Sequence, residues 1–410
     1  MKTNLLCDTR LRSFEVAQQL KQRGLLGKFY SGAVLFGARG SASDYGLEPS
    51  DIVWHRLPTL VARAFRPFGG KRFQLAVRHR QHHAFGRWCE RVMEPADVVH
   101  AWSHMALEAF QWARREGAVC VLERSAAHGS YWRDILTEEF AKWGSKYRDY
   151  GPTEEKATAE YEEADAIVVP SNFCKETIVR YGVPEGRVHV IPFGMQKVQL
   201  GQRRRPSDGF RVLYVGGLGI LKGVQYLLQA AELLRGIKDM EFVLVGGKPE
   251  RAIAKLMGKC SGRIVYLGYK KKRELFEEVY RTASVLVFPS LMDGFGYVVV
   301  EAAAHGVPVI VTANTGAKDV ITHEREGFIV PIRDPEAIAE KIRLLYDDGV
   351  RLEEMSQAAY ELGRVSGRTW DDYGEEIERM YRNTMELASS GQPVVGRPGL
   401  RDRSAPRDAN

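Results

Sequence analysis

Short apolar runs alternate with amphipathic stretches along most of the chain. That alternation predicts an α/β protein built on parallel sheets. In the first half, Asp97-Val-Val-His-Ala-Trp102, Ala118-Val-Cys-Val-Leu-Glu123, Ala166-Ile-Val-Val-Pro170 and Arg187-Val-His-Val-Ile-Pro192 read as strands. Helical patterns fall between them at 154–163 and 175–181. In the second half, strands are expected at 211–216, 241–246, 263–268, 284–289 and 308–312, with helices at 223–235, 271–281 and 334–347. The segment 197–209, Lys-Val-Gln-Leu-Gly-Gln-Arg-Arg-Arg-Pro-Ser-Asp-Gly, is polar, basic and broken by Gly and Pro, so it reads as an interdomain linker. The pattern divides the chain into a first domain over 1–196, a second over 210–365, a long helix over 366–388 and a disordered tail over 389–410. Ile377, Met380, Tyr381 and Met385 form one apolar stripe on that helix. A weak echo links Ala166-Ile-Val-Val-Pro-Ser171 with Val285-Leu-Val-Phe-Pro-Ser290, each followed by a helix, Gly-Val-Pro and a strand. Two similarly wound domains would give this, and so would chance.

Composition adds bounds. The 410 residues are 44% hydrophobic and 27% charged, ordinary for a soluble two-domain protein. Five scattered cysteines without C-x-x-C spacing favour a reducing compartment and argue against structural zinc. No apolar run approaches the ~20 residues of a membrane span. The start Met-Lys-Thr-Asn-Leu-Leu-Cys-Asp breaks too early for a leader peptide, so a cytoplasmic protein is expected. The net charge of +7 is uneven. Between Arg56 and Arg91 stand nine Lys/Arg and one acid, Glu90, interleaved with apolar residues such as Phe73, Phe85 and Trp88. The segment is either a partly solvated helical pair completing the first domain or a basic surface for anionic lipid on the inner membrane face. No recognisable nucleic-acid module accompanies the charge, and nucleic acid is not an expected partner.

The chemistry concentrates in Ser290-Leu-Met-Asp293-Gly-Phe-Gly-Tyr-Val-Val-Val-Glu301, which follows one apolar strand and leads to another. Two carboxylates stand on either side of a glycine turn that opens a helix. Free N–H groups at Phe295, Gly296, Tyr297 and Val298 would attract phosphate. The carboxylates would repel phosphate but accept hydrogen bonds from hydroxyls. Phosphate donors flanked by hydroxyl acceptors describe a sugar-nucleotide site. Asp293 could instead be a helix-start charge. Upstream, Arg211-Val-Leu-Tyr-Val-Gly216-Gly217-Leu-Gly-Ile-Leu-Lys222-Gly223 is a strand, a glycine turn and a Lys able to reach a diphosphate, or a solvated helix-start Lys. It is neither a dinucleotide fingerprint nor a P-loop. No Asp-x-Asp ends a strand, so no metal is expected, and no cofactor.

These two passages resemble the signature of retaining family 4 glycosyltransferases, strongly over 205–335 and more loosely across 90–385. The chain departs in having Asp293 where the family usually has Glu, Gly217 where Arg is common, and Thr9-Arg-Leu-Arg-Ser13 where a Gly-Gly loop is frequent. The resemblance implies two Rossmann-like domains facing across a cleft, the GT-B arrangement, with the last helix crossing back to the first domain. It implies a nucleoside diphosphate sugar as donor, a glycan or lipid-linked acceptor, retention at the anomeric carbon and surface polysaccharide or glycolipid synthesis. Asp293, Lys222 and His128 are then the expected catalytic residues. Gly216, Gly217, Lys222, the 295–298 amides and Glu301 are the expected donor-binding groups. His128 follows a strand and Glu123, and a polar loop His is the plainer reading. Ser103 and His104 end another strand, with a lesser claim. A nucleotide-sugar epimerase and a catalytically silent nucleotide-sugar-binding subunit are the other functions open to this sequence.

Overall fold

A computed structural model describes residues 1–33, 42–55, 71–144, 146–147, 152–195, 209–365 and 368–390. Most of the expected linker, 197–208, and the tail from 391 lie outside them, as do residues 56–70 of the basic segment.

Two all-parallel sheets carry the fold. The first contains β1 (Thr3–Cys7), β2 (Leu26–Ser31), β3 (Ile52–Trp54), β4 (Val98–Trp102), β5 (Val119–Glu123), β6 (Ala166–Val169) and β7 (Val188–Val190), in the order β3-β2-β1-β4-β5-β6-β7. The second contains β8 (Phe210–Val215), β9 (Met240–Val245), β10 (Ile264–Gly268), β11 (Val285–Phe288), β12 (Val309–Thr312) and β13 (Gly327–Val330), in the order β10-β9-β8-β11-β12-β13. Central strands such as Val285-Leu-Val-Phe288 are buried at every position because helices cover both faces of each sheet. The sheets are wound alike. Chain progression reverses between β1 and β4 in one and between β8 and β11 in the other. Ligands of open α/β sheets bind at such reversal points, beyond the carboxyl ends of the strands.

The strands read from the pattern all form. Four more were not anticipated: β1, β2, β3 and β13. The expected helix over 271–281 is instead Lys272–Glu274, a π-helical turn at Leu275–Val279 and a 3₁₀ turn at Tyr280–Thr282. The apparent echo joins non-equivalent strands. β6 is next to an edge, whereas β11 is central and matches β4 in winding order.

The last helix, Trp370–Ser389, starts at a capping box. Asp372 N–H donates to Thr369 Oγ1 at 3.3 Å, and Thr369 N–H donates to Asp372 Oδ2 at 2.6 Å. Its face of Trp370, Tyr373, Ile377, Met380 and Tyr381 joins the core of the first sheet. There Tyr373 donates to the fully buried Glu123 at 2.9 Å. The helix thus crosses back, as the family arrangement implies. In the basic segment, helix Lys71–Val92 turns Phe85 and Trp88 inward, where Trp88 packs against His55 and Tyr30. Phe73, Arg78, Arg80, Arg87 and Arg91 face outward. Among the described residues, no helix is long and apolar enough to cross a membrane.

Candidate active site

In the second domain the reversal point lies between β8 and β11, and both sequence passages meet there. After β8, the glycine turn is closed by Tyr214, whose hydroxyl donates to Gly217 O at 2.7 Å. Lys222 ends a single 3₁₀ turn, and Gly223 follows at φ 67°. A Cβ on Gly223 would lie 1.8 Å from Pro289 O, so only glycine lets this turn rest against the end of β11. Lys222 Nζ thereby reaches Asp293 Oδ2 and pairs with it. The other oxygen of Asp293 accepts from the N–H of Phe295 at 3.1 Å.

That bond corrects one expectation. The Phe295 amide is not free, because the short Asp side chain folds back onto its own loop in an Asx turn. The N–H groups of Gly296, Tyr297 and Val298 remain without a partner among the described residues. Gly296, at φ 84°, turns the chain into helix Tyr297–Ala303, which forms despite its run of valines because packing imposes it. Glu301 lies on the helix and accepts from Tyr280 Oη at 3.0 Å. Burial raises its carboxyl above the usual range, opposed by the Tyr280 bond and the charges of Lys272 and Arg12.

The first domain's reversal point, between β1 and β4, opens a cavity of about 340 Å³. Thr9, Ser103 and His104 line it from the loops after those strands. Arg124, buried just past β5, donates to Ser103 Oγ at 2.9 Å and to Ala127 O at 2.8 Å, and lies 3.1 Å from His104 Nε2. Burial pushes His82 down to about 3 and lowers His104. Both imidazoles are therefore neutral near pH 7. Burial alone would raise Glu154, but His104 and Arg124 hold it low, so it is ionised. Four buried polar atoms on this wall have no hydrogen-bond partner among the described residues: His82 Nδ1, Arg124 Nε, Trp132 Nε1 and Glu154 Oε2. Buried polar groups are rarely left unpaired, and a cluster of them marks where a polar ligand or water belongs. Sequence reading passed over Arg124, Trp132, Glu154 and His82. The one signal available was Arg124, a cation directly after a strand end.

His128 makes its hydrogen bonds and ring contacts within the first domain. Its Nδ1 accepts from Ser130 N–H at 3.1 Å, capping helix Gly129–Lys142, and its ring stacks on Tyr181 at 4.7 Å and on Tyr161 at 5.2 Å. Burial, helped by Arg124, pushes it down to about 4, so it is a neutral cap at ordinary pH.

The two reversal points face each other. A Cβ on Gly294 would lie 2.2 Å from Ser125 O, and Asn314 donates to Tyr131 Oη at 2.8 Å. Glu139, fully buried on helix Gly129–Lys142, accepts from Trp143 of its own domain at 2.8 Å. From the second domain it accepts Gln225 at 2.9 Å, Tyr226 at 2.9 Å and Arg333 at 2.8 Å. Among the described residues, no cluster of three or more His, Cys, Asp or Glu could hold a metal ion.

Two facing parallel sheets with a cleft between their reversal points define the GT-B fold. The structure of Anabaena Alr3699/HepE in complex with UDP-glucose superposes with a TM-score of 0.65 at 16% identity, covering 93% of this chain and 100% of that one. The family description "Glycosyl transferases group 1" matches residues 209–348, and "Glycosyltransferase Family 4" matches 34–196. The chain belongs to the group 1/family 4 glycosyltransferases. An uncharacterized glycosyltransferase of Methanocaldococcus jannaschii is 27% identical over 280 residues, covering 63% of this chain and 70% of its own length. The capsular polysaccharide biosynthesis glycosyltransferase CapM of Staphylococcus aureus is 30% identical over 237 residues, covering 55% of this chain and 60% of its own. The chain spans between 54% and 70% of the lengths of the first curated relatives it matches.

Proposed function

We propose that this protein transfers a glycosyl group from a nucleoside diphosphate sugar to a glycan or lipid-linked acceptor, with retention of anomeric configuration. The observation that carries the reading is the Lys222–Asp293 pair at the β8/β11 reversal point, beside a helix that bears Glu301. In this reading Glu301 accepts the ribose hydroxyls and the amides of residues 296–298 meet the diphosphate. Lys222 stabilises the charge that builds on the departing diphosphate, and Asp293 holds Lys222 in place, the lone pairs its two bonds leave over being the ones that would accept from sugar hydroxyls. Preorganised charge of this kind is commonly the largest catalytic contribution. The acceptor hydroxyl enters from the first-domain cavity. It attacks on the face the diphosphate leaves, and a phosphate oxygen takes its proton, so neither a metal nor a cofactor is required. CapM and the outward arginines of helix Lys71–Val92 support a setting in surface polysaccharide or glycolipid synthesis, at an anionic membrane face. Co-sedimentation with acidic vesicles at low salt, lost on reversing Arg80 and Arg87 to Glu, is the check on that setting.

The decisive experiment has two stages. Thermal shift against UDP, GDP, ADP and their sugars identifies the donor, because a ligand of the folded state raises its stability. Turnover with candidate acceptors, followed by NMR of the product's anomeric centre, then assigns the reaction. Change of the donor alone would indicate an epimerase. Binding without change would indicate a silent nucleotide-sugar-binding subunit. An inverted product would remove the retaining mechanism.

A further inference from the structure

We propose that Arg12, supplied by the first domain, is the second cation for the donor's diphosphate, so that both domains recognise the leaving group. The inference rests on the donor site proposed above and adds the residue, and the domain, that complete it.

A nucleoside diphosphate carries at least two negative charges. At the β8 turn Lys222 shares its charge with Asp293. The adjoining position is Gly217, where an added Cβ would meet nothing within 4 Å. Space for a second cation is open there, and no side chain fills it.

Arg12 approaches from the opposite side. It closes the loop after β1, and its guanidinium carbon lies 4.5 Å from the ring centroid of Tyr297, the first residue of the donor-site helix. A guanidinium stacked on an aromatic face keeps edge N–H groups available for a phosphate. Glu15 holds one nitrogen, Nη1, at 3.3 Å. The guanidinium also acts on the Tyr297 hydroxyl, and the side chain is 43% exposed. Its charge also reaches Glu301, where it opposes the effect of burial. Arg12 therefore stands against Tyr297, the first residue of the helix that carries Glu301.

The backbone gives an independent argument. Arg12 has φ 66° and ψ 9°, the left-handed region, and caps its helix without a side-chain bond. A glycine would adopt this turn at lower cost. Strained positions of this kind cluster at ligand contacts. The side chain, rather than the turn, accounts for an arginine here.

The test uses the full chain and calorimetric titration with UDP, GDP and ADP, carrying forward whichever binds. Arg12→Gly should weaken that diphosphate by about ten- to a hundredfold, the range for losing a charged hydrogen bond. Its melting temperature should be unchanged or higher, because glycine relieves the left-handed turn. Arg12→Gln should lose affinity equally, and Arg12→Lys should retain part of it. Adding Gly217→Arg to Arg12→Gly should restore most of the loss, by returning a cation from the other domain. Affinity of Arg12→Gly within twofold of the wild type would overturn the role of Arg12 while leaving the donor site standing. Failure of both Arg12→Lys and Gly217→Arg to recover affinity would also overturn it, since the loss would then be structural. A wild-type protein that binds none of the three diphosphates would overturn the donor site itself.

Discussion

At the second domain's reversal point the charged side chains already answer one another: Lys222 pairs with Asp293, Asp293 caps Phe295, and Tyr280 donates to Glu301. At the first domain's reversal point, on a sheet wound the same way, four buried polar atoms have no hydrogen-bond partner among the described residues. One site is held in its working geometry before any ligand arrives. The other carries an unpaid desolvation cost that a hydroxyl-rich ligand would remove. On the proposed function, the second domain's site is prepared for charge development, where rigid dipoles matter most. The first domain's cavity would then serve selectivity, because a substrate lacking the matching hydroxyl leaves the wall unsatisfied.

That contrast can be broken at several points. The largest effect is expected at the clamp joining the two sites. Glu139→Ala leaves Gln225, Tyr226, Arg333 and Trp143 without their shared acceptor and should cost about 3–5 kcal/mol. Denaturant unfolding should show it, with the two domains melting separately; a loss below about 1 kcal/mol would mean the clamp is incidental. Next, Lys222→Ala should lower kcat/KM by about 10²–10³-fold. Near-normal rates would move the diphosphate anchor elsewhere. Glu301→Ala should weaken nucleotide binding by about tenfold or more, as for other hydrogen bonds to a charged group, and unchanged calorimetric affinity would remove it from the site.

On the acceptor side the signs differ. Trp132→Phe removes an indole N–H that has no hydrogen-bond partner among the described residues, so stability should hold. Acceptor KM should rise by about two- to tenfold, the worth of one neutral hydrogen bond. A drop in melting temperature with unchanged KM would contradict the idea of a waiting site. The smallest effect concerns His128. Its folded value, about 4, lies below the ordinary histidine value of 6.5, so unfolded chains bind the extra proton between these limits. Its contribution is full above pH 6.5 and is lost as pH falls toward 4. His128→Asn keeps a capping oxygen and should flatten part of that slope in thermal melts. Turnover that survives the substitution would separate His128 from the chemistry, and a large loss would return it to the reacting sugar.

What could be read in advance follows the same division. The meeting of the two runs between β8 and β11 is legible because each is compact: a strand, a glycine turn and a charged residue. The Asx turn at Asp293 was not, since nothing in a one-letter pattern says which way a carboxylate folds. The acceptor wall gathers His82, Arg124, Trp132 and Glu154 from separate elements, and no spacing rule connects them. β1 gives little signal, because Thr-Asn-Leu-Leu-Cys is a five-residue run that opens with two polar residues. β13 is four residues long and begins with glycine. The π-helical turn at Leu275–Val279 has helical composition and differs only in its hydrogen bonding.

The returning helix has a consequence for how the protein is made. Strands β1–β7 are made before β8–β13, yet Trp370, Tyr373, Ile377 and Tyr381 of their core are made after both sets. Domains usually finish folding in the order of synthesis. Here the order is reversed: the second domain, contiguous over 209–365, can close its core while the first still lacks one wall. A chain truncated after residue 365 would hold one finished domain beside one that exposes an apolar sheet face. The nascent chain is therefore most open to chaperones, and to aggregation, between completion of the second domain and emergence of the returning helix.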